Sequence, residues 1–347
     1  MKQKYRLTAN ADLRSRNTFG IAARAIQLVE IQDIEALPEV LALPAFCKNV
    51  IPLVLGGGSN LLFAGDPEVP VLAFDTHRVE IIEDDGVTAL LRAEAGVPWH
   101  ALVLRSLELG LCGFENLALI PGTTGAAPIQ NIGAYGTEVG EFVHAVDAWD
   151  RQRGIMVRLD NESCAFAYRD SLFKRTPDRY LVTAVEFALP RQRAPRLDYA
   201  GITEELAAMA VSAPTSRDVA EAVIRLRQRK LPDPAVLGNA GSFFKNPIIA
   251  AVQAEALHQL HPGLPLFRGD SSDTRKVSAA WMIERCGWKG VREGDAGVAA
   301  RHALVLVNHG NASGSQLLAL ARKIADSVLN RFGVAIEPEP KIIGACW

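Results

Sequence analysis

Long apolar runs are missing from this 347-residue chain, and nowhere do the ~18 uninterrupted apolar residues of a membrane-crossing helix occur. Surplus positive charge is missing as well. The 37 Lys and Arg against 39 Asp and Glu give a formal net charge of −2, so no broad nucleic-acid surface is expected, because that would need spare cations to displace counterions from phosphates. Any anionic ligand must then be held locally. The five cysteines include no C-x-x-C pair and are odd in number, which excludes a simple disulfide framework. Cys47, Cys112, Cys164, Cys286 and Cys346 are therefore read as reduced and mostly in the core. "HQLH", with His258 and His261, lacks the glutamate of a zinc-protease motif, so no metal site is expected. No Gly-Lys dipeptide occurs, which excludes a Walker A loop. The charged N-terminal stretch has no apolar run behind it, and a cytoplasmic protein is expected.

What is abundant is side-chain-poor backbone in two places. "VLGGGSNLL" puts Gly56, Gly57 and Gly58 at the end of a strand-like run and follows them with Ser59 and Asn60. Without Cβ atoms the backbone takes positive φ easily and its N–H groups can converge on an anion. The Rossmann fingerprint fails, because Leu61 stands where the third glycine belongs. A tight hairpin turn remains an alternative for this loop taken alone. "IPGTTGAAPIQNIGAYG", from Ile120 to Gly136, is the second stretch, almost free of charge and suited to lying against a large flat ligand. Two such loops point to a dinucleotide bound outside a Rossmann fold, and FAD fits best.

The first half alternates strand-like runs with glycine-bearing turns, an α+β pattern: "TALLRAEAG", "FVHAVDAWD", "GIMVRL" and "RYLVTAVEFAL" read as strands. "VPWHALVLRSLELG" reads as a helix with Trp99, Leu102, Val103 and Leu107 on one face and Gly110 to end it. Residues 190–215 are rich in Pro, Arg and small polar side chains, and the domain connection is expected there. Beyond it helices are expected to dominate. One opens at Thr215 and Asp218, repeats Val219, Val223 and Leu226, and stops before Pro232; another carries Leu317, Ala321, Ile324 and Val328 and ends at Gly333. A last strand-like segment, "VAIEPEPKIIG", follows.

Several polar groups stand out, each with a bland alternative. Arg169 in "FAYRDSLFK" could hold a carboxylate bidentately or pair with Asp170. Ser242 in "GNAGSFFKNP" could be reactive or mark a turn, and Glu337 and Glu339 could be solvated. Arg227 and Lys230 are helical neighbours that could read a diphosphate or complement the helix end.

Taken in order over nearly the whole chain, "NTFGI", "GGGSN", "IPGTTGAAPIQNIGAYG", "YRDS", "GNAGSFFKNP" and "EPE" resemble the bacterial UDP-N-acetylenolpyruvoylglucosamine reductases, in their longer subclass with a Tyr-bearing loop. The resemblance implies an α+β, vanillyl-alcohol-oxidase-like (PCMH-type) FAD-binding fold of two subdomains, about 1–75 and 76–190. A C-terminal α+β substrate-binding domain follows over 200–347, its last strand returning Glu339 to the flavin site. It implies non-covalent FAD, NADPH as co-substrate, and reduction of the enolpyruvyl ether of UDP-N-acetylglucosamine to UDP-N-acetylmuramate for peptidoglycan precursors. Arg169 is then similar to the residue that engages the substrate carboxylate, Ser242 to the proton donor, and Glu339 to its acid partner. Gly56, Gly57, Gly58, Ser59, Asn60, Ile120, Pro121, Gly122, Thr123, Thr124, Gly125, Ala126, Gln130, Asn131, Gly133, Ala134 and Tyr135 are the expected FAD contacts. Tyr168, Tyr199, Arg227, Lys230 and Asn246 are the expected substrate contacts. The implied partner is a small-molecule substrate, acting on a monomer without nucleic acid or membrane. A flavin oxidase of the same fold and a non-catalytic nucleotide-sugar sensor are the alternatives. Many such oxidases tether FAD through an N-terminal histidine, whereas the first histidine here is His77, after the triple glycine.

Overall fold

A computed structural model describes residues 3–46 and 50–347, and its contacts divide the chain into two compact units. The first comprises Met1–Ala11, Ala25–Gly57 and Val69–Arg229; the second comprises Asp12–Arg24, Gly58–Glu68 and Lys230–Trp347.

Among the described residues the first unit holds, besides the small antiparallel pair Gly133–Ala134 and Thr137–Glu138, two larger sheets. In one, Arg24–Ile31 and Leu53–Val54 both run parallel to Val71–Phe74, and Tyr5–Asp12 forms an edge. The other is a five-stranded antiparallel sheet, in the order Ile155–Asp160, Val143–Asp150, Tyr180–Pro190, Thr88–Glu94 and Val79–Asp84. Period-two alternation decides its faces. Ala89, Leu91 and Ala93 point into a core with Phe187, Leu189 and the Trp99, Leu102, Val103 and Leu107 face of the helix Trp99–Glu108. Arg92, between them, pairs with Asp147 at 3.0 Å on Val143–Asp150, the next strand but one.

The connection at 190–215 expected from composition is not where the contacts divide. Ile202 and Leu206, on the short helix Ile202–Ala208, are buried with Val219, Val223 and Leu226 of the helix Ser216–Lys230 in the same core as Trp99 and Phe114. Only two of its seven residues, Ile202 and Leu206, are large and apolar, too few for a period to show, so the polar flanks dominate that stretch of sequence. The boundary falls between Arg229 and Lys230.

Beyond residue 215 the helices Ser216–Lys230, Ala251–Leu260, Ala279–Arg285 and Gly314–Phe332 hold more residues than the strands, as expected, but the second unit also carries sheet that the sequence did not show. An antiparallel sheet runs in the order Gly238–Ser242, Val305–Asn308, Ala296–Val298 and Arg292–Glu293, and a smaller one joins Ile248–Ala250, Thr274–Val277 and Leu266–Arg268. These strands are two to five residues long and interrupted by glycine, which hides their alternation from sequence reading. The helix Gly314–Phe332 follows its signals: Ser313 and Gln316 form a reciprocal capping box, and Gly333 closes it at φ 65°. Lys341–Ile343 pairs in parallel with Leu61–Phe63, so the expected last strand is confined to three residues.

Among the described cysteines, Cys112, Cys164, Cys286 and Cys346 are free thiols; Cys164 is buried, Cys112 and Cys286 half-buried, and Cys346 exposed, so fewer lie in the core than expected. Cys47 lies outside the described residues. No helix among the described residues is long and apolar enough to cross a membrane.

Candidate functional site

The two glycine stretches meet within the first unit, backbone against backbone. A Cβ on Gly57 would lie 2.9 Å from the Gly122 Cα, and one on Gly56 would lie 2.7 Å from the Thr123 Oγ1. Glycine is required there by this close approach. Gly56 and Gly57 remain exposed, whereas Gly58, at φ 60°, is buried in the second unit with its Cα side against the Arg16 carbonyl and Asn17.

The second loop is laced along residues 95–100. Gly125 N–H donates to the Ala95 carbonyl at 2.9 Å, Thr124 N–H and Oγ1 to the Val97 carbonyl at 2.8 and 3.0 Å, and Trp99 N–H to the Gly122 carbonyl at 3.0 Å. Trp99 Nε1 donates to the Leu117 carbonyl at 3.0 Å. Leu119, at φ 57°, is gripped by two side chains: its N–H donates to His100 Nδ1 at 3.0 Å, and Arg227 Nε donates to its carbonyl at 3.2 Å. Burial lowers the His100 pKa, helped by the Arg227 charge, and keeps the ring neutral at pH 7. Burial also lowers the Arg227 pKa, against the opposing influence of Tyr135, whose own phenol is raised by burial.

Beyond Gly125 the loop turns on strained residues. Asn131 and Tyr135 adopt φ 45° and 49°, left-handed values that cost a non-glycine residue energy and gather at functional sites. Asn131 is buried with its amide spent on the fold: Nδ2 donates to Glu138 at 2.7 Å and to the Ala167 carbonyl at 3.0 Å, and Oδ1 accepts from Gly140 N–H at 2.8 Å. The Tyr135 and Tyr199 rings meet edge to face with centroids 5.0 Å apart, and Tyr199 is 47% exposed. Ile120, Gln130, Gly133 and Ala134 are half-buried; Pro121 and Ala126 are exposed.

Arg169 sits in the first unit at φ 53°, where Nη2 donates to the Gly133 carbonyl at 2.6 Å and Lys174 Nζ to the Arg169 carbonyl at 2.5 Å. Its guanidinium carbon lies 5.5 Å from the exposed Tyr168 ring. Asp170 pairs with Arg175.

The segments that carry Ser242 and Glu339 run side by side in the second unit. A bulge between Asn239 and Ser242 breaks the pairing with Val305–Asn308, and Gly241 takes φ 68° with its N–H on Asn239 Oδ1 at 3.0 Å. Bulges of this kind re-aim a side chain. Beyond it, Glu339 N–H donates to the Phe243 carbonyl at 2.7 Å and Lys245 N–H to the Glu337 carbonyl at 3.0 Å, with an isolated bridge between Phe244 and Pro338. Glu339 is half-buried and Glu337 exposed. Asn60 Nδ2 donates to the Glu339 carbonyl at 3.5 Å, which places the end of the triple-glycine loop beside that residue; Ser59 is half-buried. Lys230 is exposed, and Asn246 Oδ1 accepts from Ala279 N–H at 3.0 Å.

Sequence reasoning missed His100 and the linchpin role of Asn239. Polar residues beside a glycine loop and a serine were the available signals, but nothing in the spacing says which backbone group each reaches.

Residues 26–160 match the family described as FAD binding domain, and residues 233–343 match the C-terminal domain of UDP-N-acetylenolpyruvoylglucosamine reductase. A UDP-N-acetylenolpyruvoylglucosamine reductase of Xylella fastidiosa (strain 9a5c) is 60% identical over 341 residues, covering 98% of this chain and 97% of the relative. The chain belongs to the UDP-N-acetylenolpyruvoylglucosamine reductases. A reductase of the same name from Xanthomonas axonopodis pv. citri (strain 306) is 57% identical, covering 99% and 98%. The crystal structure of a UDP-N-acetylenolpyruvylglucosamine reductase from Thermus caldophilus shares the fold, with a TM-score of 0.67 at 24% identity and 98% coverage of both chains. This reductase-family chain is thus an FAD-dependent oxidoreductase with a PCMH-type FAD-binding fold, as the resemblance implied. The glycine loops fit that cofactor in leaving bare backbone exposed at Gly56 and Gly57, held close against Gly122 and Thr123.

Proposed function

We propose that the chain reduces the enolpyruvyl ether of UDP-N-acetylglucosamine to UDP-N-acetylmuramate in the cytoplasm, as a monomer, with NADPH as co-substrate, for peptidoglycan precursor synthesis. The observation that carries the reading is the 2.7 Å bond from Glu339 N–H to the Phe243 carbonyl, which fixes an acid beside the residue next to Ser242. FAD, when bound, supplies hydride to the methylene carbon of the enol ether. The proposed roles are FAD binding for 1–190 and substrate binding for 200–347, while residues 200–229 pack in the first compact unit.

An enol ether is electron-rich, so its double bond must be made to accept hydride through the attached carboxylate. Arg169 and Glu339 hold and polarise that carboxylate as charge flows into it. Ser242 Oγ gives its proton to the carbon bearing the carboxylate, which a weak acid can do when that carbon is a strong base and water is excluded. Gly56, Gly57, Gly122 and the backbone of 123–126 hold the dinucleotide, with Gly58, Ser59, Asn60, Gln130, Gly133, Ala134 and Tyr135 as further contacts. Thr124 and Asn131 act mainly as braces, because their side chains are committed to Val97, Glu138, Ala167 and Gly140. Tyr168, Tyr199, Arg227 and Lys230 read the nucleotide sugar, and Asn246 supports them from the start of the helix Ala279–Arg285.

The test is an anaerobic absorbance trace of purified protein carrying FAD. NADPH is expected to bleach the yellow colour and the enolpyruvyl sugar nucleotide to restore it. Bleaching that only air reverses would overturn the reading in favour of an oxidase, and no bleaching would favour a sensor.

A further inference from the structure

Leu119 leads directly into Ile120, Pro121 and Gly122, and both of its backbone polar groups are satisfied by side chains. A left-handed residue outside a sheet or helix has no ladder to satisfy it, so its N–H and carbonyl must find partners elsewhere. Here the helix Trp99–Glu108 supplies His100 Nδ1 for the N–H at 3.0 Å, and the helix Ser216–Lys230 supplies Arg227 Nε for the carbonyl at 3.2 Å. The hydrogen bond from Leu119 requires a lone pair on His100 Nδ1, so the ring is neutral with its proton on Nε2.

We propose that His100 is a positioning residue for FAD binding, whose ring nitrogen holds the strained Leu119 peptide and thereby sets the loop that faces Gly57. The proposal rests on the assignment of FAD to the glycine cradle. It predicts a charge requirement as well as a shape requirement. Protonation at Nδ1 would turn the acceptor into a donor facing the Leu119 N–H, and would put a second cation beside Arg227. Arg227 is the charged group that acts on His100; Arg227 in turn feels the Tyr135 phenol, on which Tyr199 and Arg229 also act. Burial and Arg227 both hold the His100 pKa below its ordinary value of 6.5. FAD affinity should therefore be level near neutrality and fall as the pH drops below that value.

Two variants separate the nitrogen from the ring. His100→Asn sets an amide oxygen close to where Nδ1 stood and cannot be protonated in this range, whereas His100→Leu fills space and accepts nothing. FAD dissociation constants are measured by flavin fluorescence on wild type and both variants between pH ~7.5 and ~5, alongside thermal melts of the apoproteins. His100→Leu is expected to bind FAD about tenfold more weakly or worse, the effect of an unpaired half-buried N–H, with His100→Asn within about threefold of wild type. The acid-side fall should be present in wild type and flat in His100→Asn. The role of His100 is overturned if His100→Leu binds like wild type, if His100→Asn is as weak as His100→Leu, or if the acid-side fall persists unchanged in His100→Asn. Should His100→Leu not fold, the affinity and pH profile of His100→Asn decide alone. A wild type that takes up no FAD would refute the cofactor assignment along with the proposal; uptake by wild type without the expected pattern refutes only the role of His100.

Discussion

The two units differ in what their proposed sites are built from. In the first, the surface offered is backbone: Gly57 against Gly122, with the side chains of Thr124, Asn131 and His100 turned inward to hold the loop. In the second, the proposed groups are side chains on a braced backbone: Ser242 follows a break in the strand pairing, and Glu339 is tied by its N–H to the Phe243 carbonyl. Binding a large cofactor needs close approach over many atoms, which rewards removing side chains. Moving one proton needs one atom held in place, which rewards a braced strand end. Affinity for FAD and the rate of substrate reduction should thus be separable by mutation.

The sharpest break is Ser242→Ala. It should slow the substrate-dependent half-reaction on the order of 10²–10⁴-fold, as for loss of a general acid, with flavin reduction by NADPH and FAD affinity unchanged in stopped-flow and fluorescence titrations. Equal slowing of both half-reactions would merge what the comparison separates. Next comes Gly58→Ala. Its Cβ would lie 2.0 Å from the Arg16 carbonyl oxygen at a backbone φ of 60°, so a loss of roughly 3 kcal/mol or more of stability is expected by urea unfolding. Its neighbour Gly57→Ala, on the first unit's side of the boundary, should leave stability closer to wild type and weaken FAD about ten- to a hundredfold, since the 2.9 Å clash is between loops. If both substitutions lowered stability alike with FAD affinity retained, the open cradle would be wrong.

The smallest effect belongs to a group outside either site. Asp150 is buried and accepts from Arg179 Nη2 at 2.8 Å and from the backbone N–H groups of Gln152 and Arg153 at 3.0 and 3.2 Å. These bonds, that of Arg179 foremost, lower its pKa below the usual carboxylate value. The stability this contributes is full above the unfolded-state value of ~3.9 and is lost as pH falls through the lowered folded value. Asp150→Asn should lower Tm by a few degrees at pH 7 and flatten the acid limb of Tm against pH. A Tm difference from wild type that stayed constant down to pH ~2 would show that the carboxylate charge is not the source.

The legible parts of the fold were those with a long repeat and a cap. The helices Trp99–Glu108, Ser216–Lys230 and Gly314–Phe332 all carried a buried stripe, and the last two had capping residues at Thr215 and Ser313. Tyr5–Asp12 escaped notice because its side chains are almost all solvent-facing, so no alternation marks it as a strand. The helix Ile202–Ala208 was hidden by its polar flanks. At the site, the glycine loops and the order of the motifs could be read, but the commitment of Asn131 and Asn246 to the fold could not. An amide side chain serves a ligand or a carbonyl equally well, and only its neighbours decide.

By itself the sequence determined where backbone is bare, where helices begin and end, and which residue types stand in family order, because steric freedom, capping and periodicity are local properties. Tertiary structure decided which glycine faces which, that Leu119 is held by two helices distant in the chain, and that the contacts divide at Arg229. Those outcomes depend on which atoms the packed core brings within 3 or 4 Å of one another, a distance that no spacing along the chain encodes.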